Sequence, residues 1–524
     1  MTTETETAIG ESMQISLGEG IALTARNRPD HASFLFGDGS HHTFAQTNSR
    51  VNRLVSALRD SGIGRGDRVG VFALDSHRYV EIVLAAAKLG ATYMPLNYRL
   101  RRSELDVLLD RSAPVAFFYD SRYAQLVEGL QERHPSIRLH LALDDRADGT
   151  ASEFDAFVAT GRDVEPPVVT NDRDVLGLAF TSGTTGLPKG VVQSQRMIKA
   201  IVAAQIIDFR MLPDEVRYTA APTFHITGVC QLLAGASYGF TSLILPQFDA
   251  ATTMRFMASD TLTGVFMVPT MISTMLQVDG VADHDYDRLD LIYYGAAAMS
   301  PNLLRRAMDT FKCDFLNAFG AGTEAGLQAV LTPEDHRKAL DGHPELLGSI
   351  GKPSFGVNLR IVDDELNEVP TGVVGEIATR SDMVMDGYLE MPEETERATR
   401  GGWFRAGDLG FRDENGYLYL QGRKKDMIVR GGENIYPVEI ESVLAEHPDV
   451  VQSAAVGVAD EHWSEIVRAW IVLREGSTAT AEELAAHCAE RLAKYKVPSE
   501  FRFAPELPTN ASGKILKREL MLRD

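Results

Sequence analysis

The chain has 524 residues, with 52 lysines and arginines against 73 aspartates and glutamates, and a formal net charge of −21. This length predicts two or more domains, and the negative charge disfavours nucleic acid or an anionic membrane as the main partner, because either requires a basic face. No membrane span or signal peptide is recognisable, and Cys230, Cys313 and Cys488 match neither disulfide nor metal patterns, so a cytoplasmic protein is expected.

The first third of the chain alternates helix and strand patterns. Thr43 and Gln46 form a capping-box pair, and apolar residues then recur at helical spacing from Val51 to a stop at Gly62. Further elements follow in turn: a strand over 68–74, a helix over about 79–89, and strands over 91–95 and 114–120. The alternation predicts an α/β fold with helix-covered, largely parallel sheets. The glycines of 62–70 precede their strand, so we interpret them as a turn and not as a dinucleotide loop.

A glycine-rich loop follows the apolar strand pattern of residues 175–180. Residues 181–190 read TSGTTGLPKG, which combines glycines, hydroxyl side chains and one lysine. Glycines let backbone N–H groups converge, hydroxyls add donors and lysine adds positive charge, so this loop suits a polyanion. It is not a Walker loop, because the required Gly-Lys-Ser/Thr is missing at the proper distance after Gly183.

The sequence changes character near residue 408. Residues 411–420 contain an Asn-Gly pair typical of a type I′ hairpin. Helix and strand patterns of an α+β domain follow: a helix over 437–447, strands over 450–458 and 467–473, and a helix with Leu484, Cys488 and Leu492 on one face. We therefore predict a large N-terminal domain over 1–422, a polar hinge over 423–426 and a small mobile C-terminal domain over 427–524.

Five motifs occur in order along the chain. After TSGTTGLPKG come FGAGTEAG at 319–326, WFRAGDLG at 403–410, GRKKDMIVRGGENIYPVEIE at 422–441 and PTNASGKILKREL at 508–520. Together they resemble the adenylate-forming superfamily of acyl- and aryl-CoA synthetases, firefly luciferase and peptide-synthetase adenylation domains, from about residue 20 onward. The resemblance implies an enzyme that activates a carboxylic acid with ATP and Mg²⁺ to an acyl-adenylate, with release of pyrophosphate. The acyl group would then pass to CoA.

The resemblance also implies the nucleotide site. Residues matching the family's ATP and AMP contacts are Thr181, Ser182, Gly183, Thr184, Thr185, Gly186, Lys189, Gly295, Ala296, Ala297, Phe319, Gly320, Thr323, Asp408 and Arg423. Lys189 would be a movable cation at the phosphates and Asp408 would accept the ribose hydroxyls. Glu324 and Thr184 would hold Mg²⁺. Because 319–324 is one residue longer than the family pattern, either Phe319 stacks near adenine or Gly320 takes the aromatic position.

Other matching residues concern the two steps of the reaction. Lys514 matches the lysine that bridges the carboxylate and the α-phosphate, so the implied catalytic set is Lys514, Thr184, Glu324 and His225. Lys425 matches the hinge about which the small domain turns between half-reactions. Candidates for the CoA channel are Gly431, Gly432, Trp463, Tyr495 and Lys496, although Trp463 and Tyr495 are equally compatible with packing in a core.

Residues 222–228, PTFHITG, resemble the gate between an acyl pocket and a thiol channel, with His225 as the gating side chain. Candidate walls of the acyl pocket are Ile226, Thr227, Phe266 and Met267, together with Gly295 and Ala296. Most of these residues are apolar or small, and none is charged, so an amino group would find no partner among them. The substrate is therefore expected to be a hydrophobic acid, either a medium-chain or longer fatty acid or an aromatic acid.

Several alternatives share these motifs. A ligase that loads a carrier protein, or an amino-acid adenylation domain, would use the same nucleotide site. Against both of these alternatives, residues 222–228 resemble the acyl-CoA branch, and the chain ends at Asp524 without room for a carrier domain. Luciferase-type oxidation is less expected than thioester synthesis. An inactive nucleotide-binding regulator is disfavoured because Thr184, Glu324, Asp408 and Lys514 are all present. A homodimer is compatible with the sequence.

Overall fold

The computed structural model describes residues 15–145, 152–181, 188–259, 261–297, 299–460, 462–509 and 515–523. Its strands are β1 Ala32–Phe36, β2 His41–Thr43, β3 Arg68–Phe72, β4 Thr92–Pro95, β5 Ala116–Tyr119, β6 Leu139–Ala142, β7 Val175–Thr181, β8 Lys189–Ser194, β9 Val216–Thr219, β10 Thr241–Ile244, β11 Gly264–Met267, β12 Leu291–Gly295, β13 Asp314–Phe319, β14 Ala329–Leu331, β15 Lys352–Pro353, β16 Asn358–Val362, β17 Gly375–Arg380, β18 Gly387–Tyr388, β19 Phe404–Arg412, β20 Leu418–Arg423, β21 Ile428–Arg430, β22 Glu433–Ile435, β23 Val450–Asp460, β24 Ser464–Leu473 and β25 Glu500–Phe503.

The α-helices alternate with these strands through the first three quarters of the chain. They are Leu17–Asn27, Phe44–Asp60, His77–Leu89, Arg102–Ser112, Ala124–Val127, Leu130–Arg133, Glu153–Thr160, Gln195–Asp208, Ile226–Tyr238, Ala250–Ala258, Pro269–Met275, Pro301–Phe311, Gly322–Ala325, Pro333–Leu340, Pro392–Thr399, Pro437–Ala445, Ala481–Ala489 and Lys517–Leu522. Within the described residues, none of these helices has the length and apolar character needed to cross a membrane.

Two large sheets form the N-terminal part. One has nine strands in the order β15-β14-β13-β12-β11-β9-β10-β1-β2, and the run from β13 to β1 is parallel. The other has seven strands in the order β18-β8-β7-β4-β3-β5-β6, and the run from β7 to β6 is parallel. The predicted α/β class with largely parallel sheets is therefore confirmed.

The largest apolar core lies between these two sheets. Side chains from several helices, among them 44–60, 77–89, 195–208 and 226–238, pack there with residues of both sheets. A second core covers the outer face of the nine-stranded sheet, and a third covers the outer face of the seven-stranded sheet. Because both faces of each sheet are covered, the parallel strands read as continuous apolar runs and not as alternating ones.

Two smaller sheets follow. The first is antiparallel, in the order β16-β17-β19-β20, and packs on its own cluster of buried apolar residues. The second holds β21 to β25 and forms the core of a separate C-terminal unit with helices 437–445 and 481–489. Strand β20 ends at Arg423, a 3₁₀ turn spans Lys424–Asp426, and β21 begins at Ile428. The predicted hinge at 423–426 thus lies where one sheet ends and the next begins, and the domain boundaries stay a prediction.

Several local predictions are confirmed, with small shifts in their ends. Helix Phe44–Asp60 begins at the expected capping box, in which Thr43 Oγ1 accepts the Gln46 N–H and Gln46 accepts the Thr43 N–H. Helix His77–Leu89 starts two residues earlier than expected and ends at Gly90, whose φ of 75° is left-handed. Both ends are fixed by short-range hydrogen bonds, which explains why the sequence alone located them.

The hairpin between β19 and β20 is confirmed, but the predicted type I′ turn is wrong. A type I′ turn requires positive φ at both central residues, whereas only Gly416, at φ 84°, has it and Asn415 does not. The Asp413 carboxylate accepts the N–H groups of Asn415 and Tyr417 at 2.9 and 2.8 Å. This aspartate stabilises a longer turn that needs only one left-handed residue.

Candidate active site

The candidate site lies at the carboxyl ends of the parallel strands in both large sheets, where ligands bind in open α/β sheets. Thr181 is the last residue of β7, and it pairs with Lys189 at the start of the antiparallel β8. Gly295 ends β12 and lies beside Ala318 of β13. Five predicted phosphate-loop residues, Ser182, Gly183, Thr184, Thr185 and Gly186, lie outside the described residues, as does Lys514.

Glu324 lies in a one-turn helix, Gly322–Ala325, that faces the end of β7. Its carboxyl group is hydrogen-bonded to the Thr181 side chain, and burial raises its pKa to about 7. The positive charges of Arg423 and Lys189 partly oppose this rise. Glu324 is thus an acid held close to two cations, and its charge changes near neutral pH.

Two backbone contacts fix the position of this turn. The Met385 N–H donates to the Glu324 carbonyl at 2.8 Å, and the Gln193 side-chain amide donates to the Thr323 carbonyl at 2.9 Å. Gln193 belongs to β8, so the strand that begins with Lys189 also holds the turn that carries Glu324. The two charged side chains therefore occupy a fixed relative position.

Lys189 has two partners in this structure. Its Nζ lies 2.7 Å from Glu394 Oε2, in an ion pair that is mostly shielded from solvent. The same Nζ lies 4.9 Å from the centre of the Tyr388 ring. Tyr388 reaches this position because β18 pairs with β8, with Tyr388 opposite Val191. The lysine is thus held at the edge of the site by contacts that a polyphosphate could replace.

Asp408 and Arg423 face each other on neighbouring strands. They are register partners in β19 and β20, and Arg423 Nε donates to Asp408 Oδ1 at 3.1 Å. A second group of charges lies nearby on the same sheet, where Arg405 and Lys424 both approach Glu376, at 3.2 and 3.7 Å. The predicted ribose contact and the predicted phosphate contact are therefore brought together at the first residue of the predicted hinge.

The segment after β12 combines a glycine that leaves no room for a side chain with an alanine in the left-handed region. A Cβ at Gly295 would lie 2.2 Å from the Ala318 carbonyl oxygen, so only glycine fits there. Ala296 has a φ of 66°, which is uncommon for a residue with a side chain, and both Ala296 and Ala297 are exposed. Strained backbone of this kind is concentrated at ligand sites.

The extra residue in 319–324 is taken up by a glycine turn. Phe319 is partly buried and packs against the apolar cluster of the four-stranded sheet. Gly320 is exposed, but a Cβ there would lie 2.0 Å from the Gly326 carbonyl oxygen, so this position cannot carry an aromatic side chain. Gly322 and Gly326 bridge each other with positive φ. Of the two alternatives, stacking by Phe319 stays a prediction, and Gly320 could offer only its backbone.

His225 precedes helix Ile226–Tyr238 and is packed against the Phe224 ring, with centroids 4.4 Å apart. Burial, aided by the charge of Arg99, lowers its pKa to about 4, so the imidazole is neutral at pH 7. A Cβ at Gly228 would lie 2.5 Å from the Pro222 carbonyl oxygen, which shows how tightly the loop folds onto the helix. His225 is therefore held as an uncharged ring at the start of a buried helix.

The candidate acyl-pocket residues do not all share one surface. Ile226 and Thr227 are partly buried, and Ile226 approaches Gly322 of the turn that carries Glu324. Phe266 belongs to the core between the two sheets, whereas Met267 is 0% exposed in the core on the opposite face. Successive strand residues point to opposite faces, so Met267 cannot line a pocket with Phe266, and its assignment to the wall is wrong.

Comparison with known proteins identifies the family. A family model described as AMP-binding enzyme matches residues 21–389, and one described as AMP-binding enzyme C-terminal domain matches residues 439–514. The chain belongs to the AMP-binding enzyme family. The resemblance to adenylate-forming acyl- and aryl-CoA synthetases, drawn from the motifs, is thereby confirmed.

Three relatives illustrate this membership. A fatty acid–acyl-carrier-protein ligase of Streptomyces coeruleorubidus is 34% identical over 490 residues, 92% of each chain. An indoleacetate–CoA ligase of Aromatoleum aromaticum is 34% identical over 489 residues, 92% of this chain and 93% of the relative. The crystal structure of ATP-bound MatB from Rhodopseudomonas palustris is similar with a TM-score of 0.88 at 26% identity, over 97% of this chain and 99% of that one.

In this AMP-binding enzyme a second cluster lies in the C-terminal unit. A Cβ at Gly431, where φ is 60°, would meet the Trp463 ring at 2.8 Å, and the Gly431 N–H donates to the Trp463 carbonyl. Arg430 lies over the Trp463 ring at 5.7 Å and donates to the Tyr495 carbonyl at 2.8 Å. The cluster therefore joins three segments of the chain around one arginine.

The aromatic rings of this cluster are not core residues. Trp463 is 45% exposed and Tyr495 is 38% exposed. Both rings are therefore available to a ligand, and neither is packed in a core. Lys496 is tied to Glu439, with Nζ 2.6 Å from Oε2, and Gly432 is exposed next to Gly431. The structure thus brings all five candidate CoA-channel residues of this AMP-binding enzyme near one another, while their role stays a prediction.

The sequence did not indicate some residues that shape the site. Tyr388, Glu394 and Gln193 contact the predicted residues but carry no motif that we recognised. Tyr388 and Glu394 are about two hundred positions from Lys189 and approach it through the pairing of β18 with β8 and the helix that follows. Such a non-local pairing leaves no local sequence signal.

Proposed function

We propose that this protein is an ATP-dependent carboxylate–CoA ligase acting on a hydrophobic acid. In the first step the acid and ATP give acyl-adenylate and pyrophosphate, and in the second the acyl-adenylate and CoA give acyl-CoA and AMP. The observation that carries the proposal is the convergence of Thr181, Lys189 and Arg423 on the Glu324 carboxyl group in a chain of the AMP-binding family. ATP and CoA are the cosubstrates of this reaction class.

Glu324 fits a site for Mg²⁺, which neutralises phosphate charge when it is bound. Magnesium is usually held in such sites by one or two carboxylates together with the substrate phosphates. Glu324 would supply the carboxylate and Thr184 a hydroxyl. The raised pKa of Glu324, about 7, describes the ligand-free site. A cation nearby favours the ionised carboxylate, so we expect proton release when the metal–nucleotide complex binds.

In the first step a carboxylate oxygen attacks the α-phosphorus of ATP, and the bond to the β-phosphate breaks as pyrophosphate leaves. Both reactants are anions, so their approach requires cations that act on the developing charge. We assign Lys189 to the β- and γ-phosphates, Arg423 to the ribose and phosphate, and Asp408 to the ribose hydroxyls. Lys514 would join the carboxylate to the α-phosphate only in this step.

In the second step the CoA sulfur attacks the acyl carbonyl carbon and AMP leaves. The neutral His225 ring would border the thiol's path without adding charge to it. We assign Gly431 and Gly432 to the thiol channel, and Trp463, Tyr495 and Lys496 to the nucleotide end of CoA. Because this cluster belongs to the C-terminal unit, we propose that the unit turns about Lys425 between the two steps.

Replacing Lys425 with proline is expected to preserve adenylation and to abolish most thioester formation. Lys425 is exposed in the 3₁₀ turn Lys424–Asp426, and proline would fix its φ and hinder rotation there. Pyrophosphate exchange and conversion of supplied acyl-adenylate to acyl-CoA measure the two steps separately. Lys425→Ala is the matched control, because it removes the charge and leaves φ free. Equal loss of both activities in the proline variant would place the pivot elsewhere.

The substrate is expected to be a medium-chain or longer fatty acid or an aromatic acid, and neither acetate nor an α-amino acid. Ile226, Thr227 and Phe266 remain as candidate walls, and burying apolar surface contributes roughly 25 cal/mol per Å², which favours a larger acid over acetate. An α-ammonium group would lose hydration there without a carboxylate partner. The relatives named above act on a fatty acid and on indoleacetate, which supports this range.

A ranking of kcat/KM for acetate, octanoate, benzoate, cinnamate and leucine, with CoA present and absent, tests the proposal. Pyrophosphate release that depends on the acid, followed by acyl-CoA formation, would support it. No pyrophosphate release with any acid would contradict the enzyme assignment. If acetate or leucine ranked first, only the pocket assignment would be wrong.

A carrier protein is the second candidate acceptor, because one relative is a fatty acid–acyl-carrier-protein ligase. Offering the enzyme equal concentrations of CoA and a phosphopantetheinylated acyl carrier protein would decide between them. Faster acylation of the carrier would favour this second function. The nucleotide site described above would be the same in both cases.

We also propose a cytoplasmic location, and association as a homodimer is compatible with the sequence. The three cysteines form no disulfide, and Cys230 and Cys488 are buried thiols, which suits a reducing compartment. Sedimentation equilibrium would determine the oligomeric state directly.

A further inference from the structure

The loop that carries His225 is held from the neighbouring sheet by one carboxylate, Asp75. Asp75 follows β3 of the seven-stranded sheet, whereas residues 220–225 follow β9 of the nine-stranded sheet. The Thr223 N–H donates to both carboxylate oxygens of Asp75, at 2.9 and 3.1 Å. The Asp75 N–H in turn donates to the Pro246 carbonyl, beyond β10 of the nine-stranded sheet, at 3.3 Å. Asp75 thus joins the two sheets two residues from His225.

The surroundings of Asp75 are those of a buried group without a counter-ion. Among the described residues no cation forms an ion pair with it, and burial raises its pKa to about 7, against the effect of its bonds to Thr223. Burial is the main cause of the raised pKa values of Tyr79, Tyr98 and Tyr218, and the negative charge of Asp75 adds to the rise in each, so these phenols are its titratable neighbours. Arg99 lies against Tyr98, with its guanidinium carbon 4.7 Å from the centre of that ring.

A buried carboxylate without a counter-ion destabilises the folded protein when it is ionised, so a contribution to stability does not explain Asp75. The loop next to it is held at two further points. Tyr98 packs edge-on against Phe224 at 5.4 Å, and Gly228 allows the loop to lie against the helix. Asp75 supplies the polar anchor of the same loop, and the charged form makes the stronger bond to the Thr223 N–H.

We propose that Asp75 is a positioning residue that fixes the 222–225 loop and so sets where the His225 ring stands between the acyl pocket and the thiol path. The inference rests on the proposed role of His225 as a gate. Because adenylation takes place on the nucleotide side, Asp75 is expected to act on thioester formation. Its hydrogen bonds within the described part of the chain go to Thr223 and Pro246 and to none of the residues assigned to the nucleotide, so we assign it a positioning role and not a catalytic one.

The test compares Asp75→Asn and Asp75→Ala in the full-length enzyme. Asparagine keeps one oxygen that can accept the Thr223 N–H, whereas alanine keeps none. In the wild type we expect the rate of acyl-CoA formation from supplied acyl-adenylate to fall as the pH drops through about 7, where Asp75 gains a proton. The asparagine variant should lack the part of this fall that Asp75 causes and keep only the pH dependence of the CoA thiol, and alanine should show a rate lower by about five- to tenfold than wild type at pH 8.

Adenylation measured by pyrophosphate exchange should change by less than about twofold in both variants, because the contacts that hold Glu324 and Lys189 come from Gln193, Met385 and Glu394 and not from residues 222–225. Asp38→Asn is the matched control, since Asp38 also accepts a backbone N–H, that of Ser40 at 2.9 Å, in an exposed turn between β1 and β2. Thioester formation unchanged in Asp75→Ala, or reduced in the same proportion as adenylation, would overturn the proposal.

A second measurement does not depend on activity. Diethyl pyrocarbonate modifies accessible neutral imidazoles, and peptide mapping gives the rate at His225 alone. If Asp75 holds the loop, Asp75→Ala should raise this rate severalfold and Asp75→Asn should restore most of the protection, with melting temperatures reported for each variant. Equal rates in all three proteins would overturn the positioning role. A protein that fails the acid screen but passes this test would show that the proposed function is at fault and the loop anchor is not.

Discussion

Replacing Glu324 with glutamine is expected to reduce acyl-adenylate formation by about 10²- to 10³-fold and to stabilise the ligand-free protein above neutral pH. The loss of activity follows because glutamine cannot supply the charge that the metal–nucleotide complex needs. The gain in stability follows from the burial of Glu324, which raises the pKa of its carboxyl group to about 7 from an ordinary 4.5. A charged group that is poorly solvated in the folded state favours unfolding.

The dependence on pH gives this prediction its sign. Between pH 4.5 and 7 the folded state binds more protons at Glu324 than the unfolded state does, so the wild type loses stability as the pH rises through this window. Above pH 7 the folded protein carries the full destabilisation from the ionised, buried Glu324, and below pH 4.5 it carries none. Glutamine carries no such cost. The melting temperature of the variant should therefore exceed that of the wild type most clearly at pH 8, and the two should converge near pH 4.5.

Glu334→Gln is a suitable control. Glu334 lies on the surface, where its hydrogen bond with Arg210 lowers its pKa, so its replacement should leave adenylation unchanged and should not stabilise the protein. Scanning calorimetry across pH and pyrophosphate release at saturating ATP provide the two measurements. A Glu324→Gln protein that is less stable at pH 8, or that retains wild-type adenylation, would contradict the assignment of Glu324.

The sequence located features that depend on neighbouring residues and missed those that depend on distant ones. The capping box at Thr43 and the end of a helix at Gly90 involve hydrogen bonds within four residues, and both were found. The contact of Lys189 with Glu394 requires β18 to pair with β8, and no local pattern encodes that pairing. The order of the motifs was enough to identify the family, because it requires no knowledge of contacts.

The error at Met267 has a similar origin. The strand Gly264–Met267 is buried on both faces, so all four of its residues are buried and the sequence shows no alternation. Without alternation the sequence does not tell which residue faces which layer. Only the packing of the two cores shows that Phe266 points between the sheets and Met267 points outward. At Asn415 the sequence predicts the hairpin correctly but not the type of its turn. The type depends on the Asp413 carboxylate, which accepts the Asn415 N–H.

Replacing Lys514 with alanine is expected to lower adenylation by about 10²- to 10³-fold and to leave conversion of supplied acyl-adenylate to acyl-CoA nearly unchanged. Lys514 itself lies outside the described residues, but the residues on either side of it are anchored. Thr509 and Ile515 bridge each other, and the Leu516 N–H donates to the Pro508 carbonyl at 2.8 Å. Ile515 packs in a cluster of the C-terminal unit, so the proposed turn of that unit would carry Thr509 and Ile515 with it.

A cation that arrives with a mobile unit can serve one step and be absent from the other, which predicts the difference between the two half-reactions. Lys517→Ala is the matched control, because it removes a lysine three positions away whose Nζ lies 2.6 Å from Glu441 Oε1 within the same unit. Partly exposed ion pairs contribute little, so this control should retain both activities within about twofold. Equal losses in the two half-reactions of Lys514→Ala would mean that the lysine supports folding or both steps. No loss in either would mean that another cation joins the carboxylate to the α-phosphate.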